Sequence, residues 1–321
     1  MSGQGVILAT CIGESRGAPK RAVSSVRLVR GHGLEGDAHA GNWHRQVSML
    51  ADEEIAKVRS AGLVVEPGAF GENMITSGVD FAELAVGRRF RVGQQAVLQI
   101  TQRGKECHSP CSIYERLGDC LMPREGLFAR VRRGGRIGPG DAVCLDPDLD
   151  RVRWAVCTIS DRSASGERQD ESGLAVRGLL EGCLGSGLVS HAVLADEQDA
   201  IGNELRRLCD EEVCDIVVTT GGTGLAPRDV TPEATLAVVE RPIPGMAEAI
   251  RAAGLAHTPH AMLSRAVCGL RGQTLIVNLS GSPSAAREQL AVILPVLPHA
   301  IATASGIPND CGRPAPRHEE R

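Results

Sequence analysis

The sequence predicts two domains: a mostly β, barrel-like amino-terminal domain and a carboxy-terminal α/β/α domain of three layers with a mostly parallel sheet. Three observations support this prediction. The chain has 321 residues, more than most single domains. Its first half contains short strand-like runs separated by glycine-rich turns, as in β barrels and sandwiches. Its second half alternates strands with helices, which is typical of a parallel sheet covered by helices.

Composition narrows the class of protein. Apolar residues make up 42% of the chain and aromatic residues only 2%, so we expect cores built from Val, Leu, Ile and Ala. A net charge of −4 argues against a general nucleic-acid binder. No apolar run is long enough for a membrane span or a secretory signal, so we expect a cytoplasmic protein. In a reducing cytosol, most of the eleven cysteines would be buried hydrophobic residues rather than disulfides.

In the first half, alternating and β-branched runs predict the strands, and one polar-apolar run predicts a helix at 51–61. The glycine-rich segments 31–41 and 68–74 predict turns. The predicted strands span residues 6–9, 23–29, 44–50, 89–92 and 96–100.

Histidines are concentrated near the glycine-rich segment 31–41. His32, His39 and His44, with Asp37 nearby, are candidate metal ligands. Their spacings match no closed metal site. We therefore favour loop histidines that form hydrogen bonds with the backbone.

Cys107 and Cys111 form the sharper motif, CHSPC. The spacing is that of half a zinc knuckle, but no second Cys or His pair at matching spacing accompanies it. The other interpretation is a reactive cysteine, because Arg103, Lys105 and His108 would favour thiolate over thiol.

The segments VRLVRGHGLEGDAHAGNWHRQVSML, GAFGENM, TQRGKECHSPCSIY, PREGLFARV and GGRIGPGD resemble a MOSC domain, here residues 1–148. The resemblance implies a β-rich module that binds the molybdenum cofactor or carries sulfur through a cysteine. Cys111 matches that cysteine by position, with Cys107 as its neighbour. Binding of mature cofactor, sulfur transfer and tethering of a partner protein all stay open.

The acidic, proline-broken segment 145–150 predicts the domain boundary. Beyond it, strands are predicted at 152–159, 187–194, 215–220 and 274–279, and helices at 171–181 and 198–210. Thr231 and Ser282 are predicted N-caps of two further helices, each followed by a proline. The last helix would run toward residue 304 with kinks at Pro295 and Pro298. The polar tail 309–321 is predicted to be disordered.

Parallel strands deliver their carboxyl ends to one edge of a sheet, where ligands bind in open α/β folds. The loops 160–166, 196–197, 221–229 and 278–283 should therefore meet. This convergence would place Asp161, Asp196 and Asp229 around one cradle. Taken singly, Asp161 could be a turn residue and Asp196 a helix cap. Their convergence favours a bound cation that offsets the three charges.

The loop after the third predicted strand, GGTG at Gly221 to Gly224, lets the backbone approach a ligand closely. Arg228 and Asp229 follow it, a combination suited to a phosphate and its magnesium ion. A Walker A lysine is missing, which excludes a P-loop NTPase. By itself, GGTG is equally compatible with a structural turn.

Residues 152–308, through SDR, ADE, TTGGTG, PRDVTPEAT, IPGMAEAIR and LSRAVCGLRGQTLIVNLSGSP, resemble the molybdopterin adenylyltransferase family. The resemblance implies that the terminal phosphate of molybdopterin attacks the α-phosphate of ATP, with Mg²⁺ required. Asp196 and Asp229 match the catalytic, magnesium-binding carboxylates. Ser280 departs from the proline usual at its position. The implied nucleotide and molybdopterin positions are Ser160, Asp161, Gly221, Gly222, Thr223, Gly224, Arg228, Ser264, Arg265, Asn278, Gly281, Ser282 and Pro283.

The resemblance also implies a homotrimer, and we expect partnership with other proteins of molybdenum cofactor biosynthesis. The net charge and the lack of a long apolar run indicate that neither nucleic acid nor a membrane is a partner. A second hypothesis is a non-catalytic molybdopterin carrier of the same fold. A third is a related domain that inserts molybdate or uses another nucleotide. Intact Asp196 and Asp229 favour the enzyme, and the choice between molybdenum and tungsten stays open.

Overall fold

The computed structural model describes residues 4–106, 114 and 120–306. Cys107, Cys111 and the tail 309–321 lie outside these residues, so the predictions made for them stay predictions. Within the described ranges, no helix has both the length and the apolar character that crossing a membrane requires.

The amino-terminal half forms a closed barrel, here called the barrel domain. The order of its strands is β11, β7, β8, β9, β5, β6, β1, and pairing of β1 with β11 closes the sheet. Side chains inside the barrel are aliphatic apart from a few aromatic residues, as the composition predicts. The strands are β1 Gln4–Ile12, β2 Arg21–Val23, β3 Val26–Val29, β4 Gly33–Leu34, β5 Val47–Ala51, β6 Met74–Ser77, β7 Arg89–Val92, β8 Ala96–Arg103, β9 Leu127–Arg133, β10 Gly135–Ile137 and β11 Ala142–Cys144.

The helix predicted after β5 is present as α1, Asp52–Ser60, and two short helices follow, α2 Met122–Glu125 and α3 Pro147–Asp150. The single strand predicted at 23–29 is wrong, because the chain changes sheets within it. β2 extends the barrel sheet beside β1, whereas β3 pairs with β10 and β4 in a separate small sheet.

The carboxy-terminal half, here called the α/β domain, has a mixed six-stranded sheet in the order β13, β12, β14, β17, β16, β15. The first four are parallel, and β16 and β15 add antiparallel. A tight hairpin at Gly272, with φ of +57°, joins β16 to β17 and enforces this reversal, which the sequence prediction missed. The strands are β12 Trp154–Ile159, β13 Leu188–Leu194, β14 Ile216–Thr220, β15 Arg241–Pro242, β16 Cys268–Arg271 and β17 Thr274–Leu279.

Helices cover both faces of this sheet. One face packs α5, α8, α9 and α10 against side chains such as Trp154 and Val218, and the other packs α6 and α7 against side chains such as Ala155 and Val217. The kink predicted at Pro295 is confirmed, because a 3₁₀ turn at Leu294–Val296 separates α9 from α10, whereas Pro298 lies in the first turn of α10. The helices are α4 Asp161–Ala164, α5 Glu171–Leu184, α6 Gln198–Asp210, α7 Thr231–Leu236, α8 Pro244–Leu255, α9 Pro283–Ile293 and α10 Leu297–Ala304.

Candidate functional site

The loops after β12, β13, β14 and β17 meet at one edge of the α/β sheet, because all four strands run in the same direction. Asp161 and Asp196, from two of these loops, are tied by reciprocal bonds. The Asp161 N–H donates to Asp196 Oδ2 at 2.9 Å, and the Asp196 N–H donates to Asp161 Oδ1 at 3.0 Å. Two of the three predicted aspartates are therefore direct neighbours.

The glycine loop leaves no room for side chains at its first two positions. Gly221 has φ of +104°, and a Cβ there would lie 2.2 Å from the Ile159 carbonyl oxygen. Gly222 has φ of +61°, and a Cβ there would lie 2.9 Å from Asp196 Oδ1. On the neighbouring loop, a Cβ at Gly281 would lie 3.1 Å from Gly221 Cα. Glycine at all three positions lets these loops approach one another closely.

The same loop presents backbone donors. The N–H groups of Gly222, Thr223 and Gly224 donate to no acceptor among the residues that the structure describes. Successive N–H groups of this kind form an anion-binding concavity. The loop is therefore equipped to bind phosphate oxygens.

Asp229 contacts the other end of the glycine loop. Its Oδ2 accepts from the Ala226 N–H at 2.8 Å, and a Cβ at Gly224 would lie 2.8 Å from the same oxygen. Asp196 and Asp229 thus flank the loop on the same side of the sheet. Burial first, then the negative charges of Asp161 and Asp229, raise the pKa of Asp196.

A bound cation would reduce the repulsion between Asp196 and the carboxylates of Asp161 and Asp229. The described residues contain no group of three or more His, Cys, Asp or Glu side chains suited to a metal ion. Mg²⁺ commonly binds through one or two carboxylates together with waters and substrate phosphates. Asp196 and Asp229 beside the free loop amides fit that mode of binding.

Arg228 is exposed at this edge and forms ion pairs with two acidic residues. Its Nη2 lies 2.8 Å from Asp161 Oδ1, and its Nη1 lies 2.8 Å from Glu197 Oε1. The bond from Arg228 holds the pKa of Asp161 below its usual value. Glu197 was not among the predicted site residues, although it directly follows Asp196 at the end of a predicted strand.

Arg265 holds the loop from behind. Its Nε donates to the Gly224 carbonyl at 2.7 Å and its Nη2 to the Asp229 carbonyl at 2.5 Å. Its remaining nitrogen pairs with Glu233. Arg265 therefore fixes the Gly224 and Asp229 carbonyls, which come before and after Arg228 in the chain. Its guanidinium is used for these bonds and does not extend toward a ligand.

Asn278 lies in the core beneath the loop, fully buried. Its amide donates to Thr219 Oγ1 at 2.8 Å and Thr235 Oγ1 at 2.9 Å, and its oxygen accepts from the Val267 N–H at 3.1 Å. These bonds occupy the side chain, so the structure places Asn278 as a support of the site.

The remaining predicted positions lie at the ends of helices. Ser160 caps α4 by accepting from the Ser163 N–H at 3.2 Å. Ser282 occupies the N-cap position of α9 before Pro283, but its hydroxyl contacts Ser284 instead of capping the helix. Ser264 ends the 3₁₀ turn Pro259–Leu263.

Thr231 was predicted as an N-cap and is instead the first residue of α7, with Val230 at the N-cap. The Thr231 hydroxyl donates to the Gly221 carbonyl at 3.0 Å. The hydroxyl therefore bonds to the glycine loop and does not cap the helix. This bond explains why the predicted N-cap was wrong by one residue.

The barrel domain contains a separate cavity of about 290 Å³. Arg16, Arg45 and Lys105 line it, together with His39 and Trp43. The guanidinium carbon of Arg45 lies 5.0 Å from the centre of the Trp43 ring. Arg45 Nε is buried and has no hydrogen-bond partner among the described residues. The cavity is positively charged and has an unsatisfied donor.

Two of the candidate metal ligands, Asp37 and His44, have partners within the barrel domain. Asp37 is buried and pairs with Lys20, with its Oδ2 2.9 Å from the Lys20 nitrogen. His44 Nε2 lies 3.0 Å from Gln102 Oε1. Asp37 also accepts from the Gly13 N–H at 3.0 Å, so it joins two loops of the barrel.

Comparison with known families divides the chain as the fold does. The model of the MOSC domain matches residues 36–144. The model of a probable molybdopterin binding domain matches residues 155–299. The first match lies within the barrel domain and the second within the α/β domain.

Curated relatives match the α/β domain. A molybdopterin adenylyltransferase of Helicobacter pylori strain J99 is 42% identical over 154 residues, which is 48% of this chain and 88% of that protein. The molybdopterin adenylyltransferase of Escherichia coli K12 is 43% identical over 44% of this chain and 73% of its own length. Among solved structures, the molybdopterin biosynthesis enzyme MoaB of Thermus thermophilus is 48% identical, over 48% of this chain and 97% of that one, with a TM-score of 0.46.

Proposed function

The carboxy-terminal half of this chain belongs to the molybdopterin adenylyltransferase family and follows a MOSC domain, and from this premise we propose that the α/β domain adenylylates molybdopterin in molybdenum cofactor biosynthesis. A phosphate oxygen of molybdopterin would attack the α-phosphorus of ATP. The bond from that phosphorus to the bridging oxygen breaks, and pyrophosphate leaves with the electron pair. The products are adenylylated molybdopterin and pyrophosphate.

The residues at the loop edge suit this reaction because nucleotidyl transfer mainly requires two anions to be positioned and their charge to be offset. The N–H groups of the glycine loop would bind phosphate oxygens. Arg228 would exchange one of its carboxylate partners for phosphate. Mg²⁺, held by Asp196 and Asp229, would offset negative charge between them and the substrate phosphates. No side-chain nucleophile is needed.

One observation carries the proposal: Asp196 and Asp229 both lie against the glycine loop, within 2.9 Å and 2.8 Å of where Cβ atoms of Gly222 and Gly224 would stand. A purely structural turn would not require two carboxylates beside free N–H groups. A cytoplasmic location, a homotrimer and partnership with other cofactor-biosynthesis proteins stay predictions from the sequence.

The test is to incubate the purified chain with molybdopterin and Mg·ATP and to measure adenylylated pterin and pyrophosphate. We expect turnover by the wild type and an output about 100-fold lower for Asp229→Ala, because a charge-stabilising group is lost. Asp148→Ala, which removes an exposed carboxylate between the domains, should match the wild type.

Two outcomes would contradict the proposal. Equal output from the wild type and Asp229→Ala would remove Asp229 from the mechanism. Binding of molybdopterin by the wild type without any adenylylated product would support the second hypothesis, a non-catalytic carrier.

For the MOSC half, we propose that the 290 Å³ cavity binds the phosphate group of the molybdenum cofactor. Arg16, Arg45 and Lys105 supply positive charge, and the buried Arg45 Nε has no partner among the described residues. In the sequence, Cys107 follows Lys105 by two positions and Cys111 by six, and we propose that one of these cysteines acts on the bound cofactor.

Arg45→Gln should weaken binding of the cofactor about tenfold, because a charge-assisted bond to phosphate is lost. The measurement is equilibrium dialysis with the purified cofactor. Arg287→Gln, an exposed position on α9, is the control and should bind as the wild type does. Unchanged affinity in Arg45→Gln would place the cofactor elsewhere.

A further inference from the structure

A larger cavity, about 990 Å³ in volume, lies between the two domains. Its α/β wall includes the end of α6 at Cys209 and the β16–β17 hairpin at Gly272 and Gln273. These residues lie where β17 begins, whereas the glycine loop contacts the end of β17. The cavity is therefore at the opposite edge of the sheet from the proposed reaction.

Four arginines line this cavity, and two of them already have carboxylate partners. Arg30 pairs with Asp210. Arg132 Nη2 lies 3.3 Å from Asp215 Oδ1. Both carboxylates are shared, because Asp210 also pairs with Arg271 and Asp215 also pairs with Arg89, and these ion pairs hold Arg30 and Arg132 in the wall between the domains.

The other two arginines, Arg130 and Arg241, donate to backbone carbonyls. Arg130, on β9 of the barrel, donates from Nε to the Trp43 carbonyl at 3.1 Å. Arg241, on β15 of the α/β domain, donates from Nη2 to the Gly272 carbonyl at 3.2 Å. No ion pair among the described residues includes either arginine. Each guanidinium donates to a backbone oxygen; Arg130 is half-buried, and Arg241 is exposed.

Both guanidinium groups line the same cavity, so their like charges act on each other. Burial first, then the charge of Arg241, lowers the pKa of Arg130. Glu240 also lines the cavity, but its Oε2 accepts from the Gly272 N–H at 2.9 Å and its Oε1 lies 3.8 Å from Arg271. The repulsion between Arg130 and Arg241 is what an anion between them would remove.

The rest of the lining is mixed. Ile243, Leu270 and Leu275 present an apolar wall, and Gln273 and Thr303 add polar groups. Small-molecule sites are commonly about 300–1,000 Å³ and combine an apolar lining with a few polar groups. The volume of about 990 Å³ is thus large enough for a nucleotide-sized compound.

We propose that this interdomain cavity binds an organic phosphate, with the phosphate between Arg130 and Arg241 and the ring body against Ile243 and Leu270. Arginine recognises phosphate through paired N–H donors, and here one arginine comes from each domain. Binding would therefore link the barrel domain to the α/β domain. The inference does not depend on the reaction at the glycine loop.

The experiment is hydrogen–deuterium exchange of the full chain with three probes: AMP, pyrophosphate and adenosine. AMP should slow exchange at 268–275 and 127–133, the segments that carry the two walls. Pyrophosphate should protect them less, because it lacks a ring, and adenosine should not protect them. The AMP concentration for half-maximal protection should rise about tenfold in Arg130→Gln and in Arg241→Gln.

The glycine loop provides an internal control, because AMP protection at 221–229 should be the same in both variants and in the wild type. Arg287→Gln is the matched arginine control and should leave both patterns unchanged. Neither cavity substitution leaves a carboxylate unpaired, so both variants should fold. Protection by adenosine equal to that by AMP, protection confined to 221–229, or wild-type protection of the cavity walls in both variants would each overturn the proposal.

Discussion

At Gly222 a single missing side chain permits the contact between the glycine loop and Asp196. Its φ of +61° belongs to the left-handed region, where a Cβ is strained. A Cβ there would also lie 2.4 Å from Thr231 Oγ1 and 2.9 Å from Asp196 Oδ1. An added methyl group would therefore push the carboxylate away from the loop.

Gly222→Ala should lower adenylylation at least about tenfold and destabilise the fold by about 1–2 kcal/mol, the cost of a left-handed non-glycine residue. Activity is measured by pyrophosphate release, and the free energy of unfolding by urea titration.

The control for Gly222→Ala is Gly178→Ala. Gly178 lies within α5, and no heavy atom among the described residues lies within 4 Å of where its Cβ would stand, apart from its chain neighbours and the helix backbone. Alanine there should stabilise the helix by about 0.5–1 kcal/mol with activity unchanged. Wild-type activity in Gly222→Ala would show that the close approach of Asp196 to the loop is not needed.

At the scale of single elements, β17 joins the loop edge to the core through Asn278. This residue ties β17 to β14 through Thr219, to α7 through Thr235 and to the segment before β16 through Val267. All three bonds are buried or partly buried, so their loss would leave polar groups without partners.

Asn278→Ala should cost about 1–3 kcal/mol of folding free energy, because the buried Thr219 and Thr235 hydroxyls and the partly buried Val267 N–H would lose their partner. Urea unfolding of the purified chain measures this. The matched control, Asn203→Ala, removes an exposed asparagine on α6 whose bond to Arg206 is at the surface. It should change stability by less than about 0.5 kcal/mol. Equal effects at both positions would contradict the assigned role of Asn278.

At the scale of the whole molecule, Asp215 joins the two domains. It is fully buried immediately before β14, and its oxygens accept from Arg89 and Arg132 of the barrel. The Arg153 N–H donates to the same carboxylate at 2.9 Å. Burial by itself would raise the pKa of Asp215, but the charges of Arg89 and Arg132 hold it below its usual value.

Because the folded-state pKa is below the unfolded one, Asp215 contributes its stability above about pH 4 and loses it as pH falls through the folded pKa. Asp215→Asn should cost about 3–5 kcal/mol at about pH 7, since two buried arginines lose their carboxylate. The variant should also lack this acid-induced loss. Urea unfolding at a series of pH values from neutral to acidic measures both effects.

Asp148→Asn removes an exposed partner of Arg151 and is the control for Asp215→Asn. It should cost less than about 1 kcal/mol. If the two variants were equally stable at neutral pH, the buried ion pairs would not be what holds the domains together.

The sequence by itself determined the parts of the fold that depend on local pattern. Residue periodicity predicted α6 and β17 with the bounds that the structure has, and Pro295 predicted the break before α10. The sequence also determined the relative direction of the strands in the α/β sheet, because strands joined through helices are parallel. That rule alone brought Asp161, Asp196 and Asp229 to one edge.

Tertiary structure decided what depends on partners distant in the chain. Pairing of β1 with β11 closes the barrel, and β16 adds antiparallel at the edge of the other sheet. Packing buries Asn278 as a support of the site. None of these features can be predicted from a local sequence pattern. The same holds for the cavity between Arg130 and Arg241: these residues lie far apart in the chain, and only the packing of the two domains brings them together.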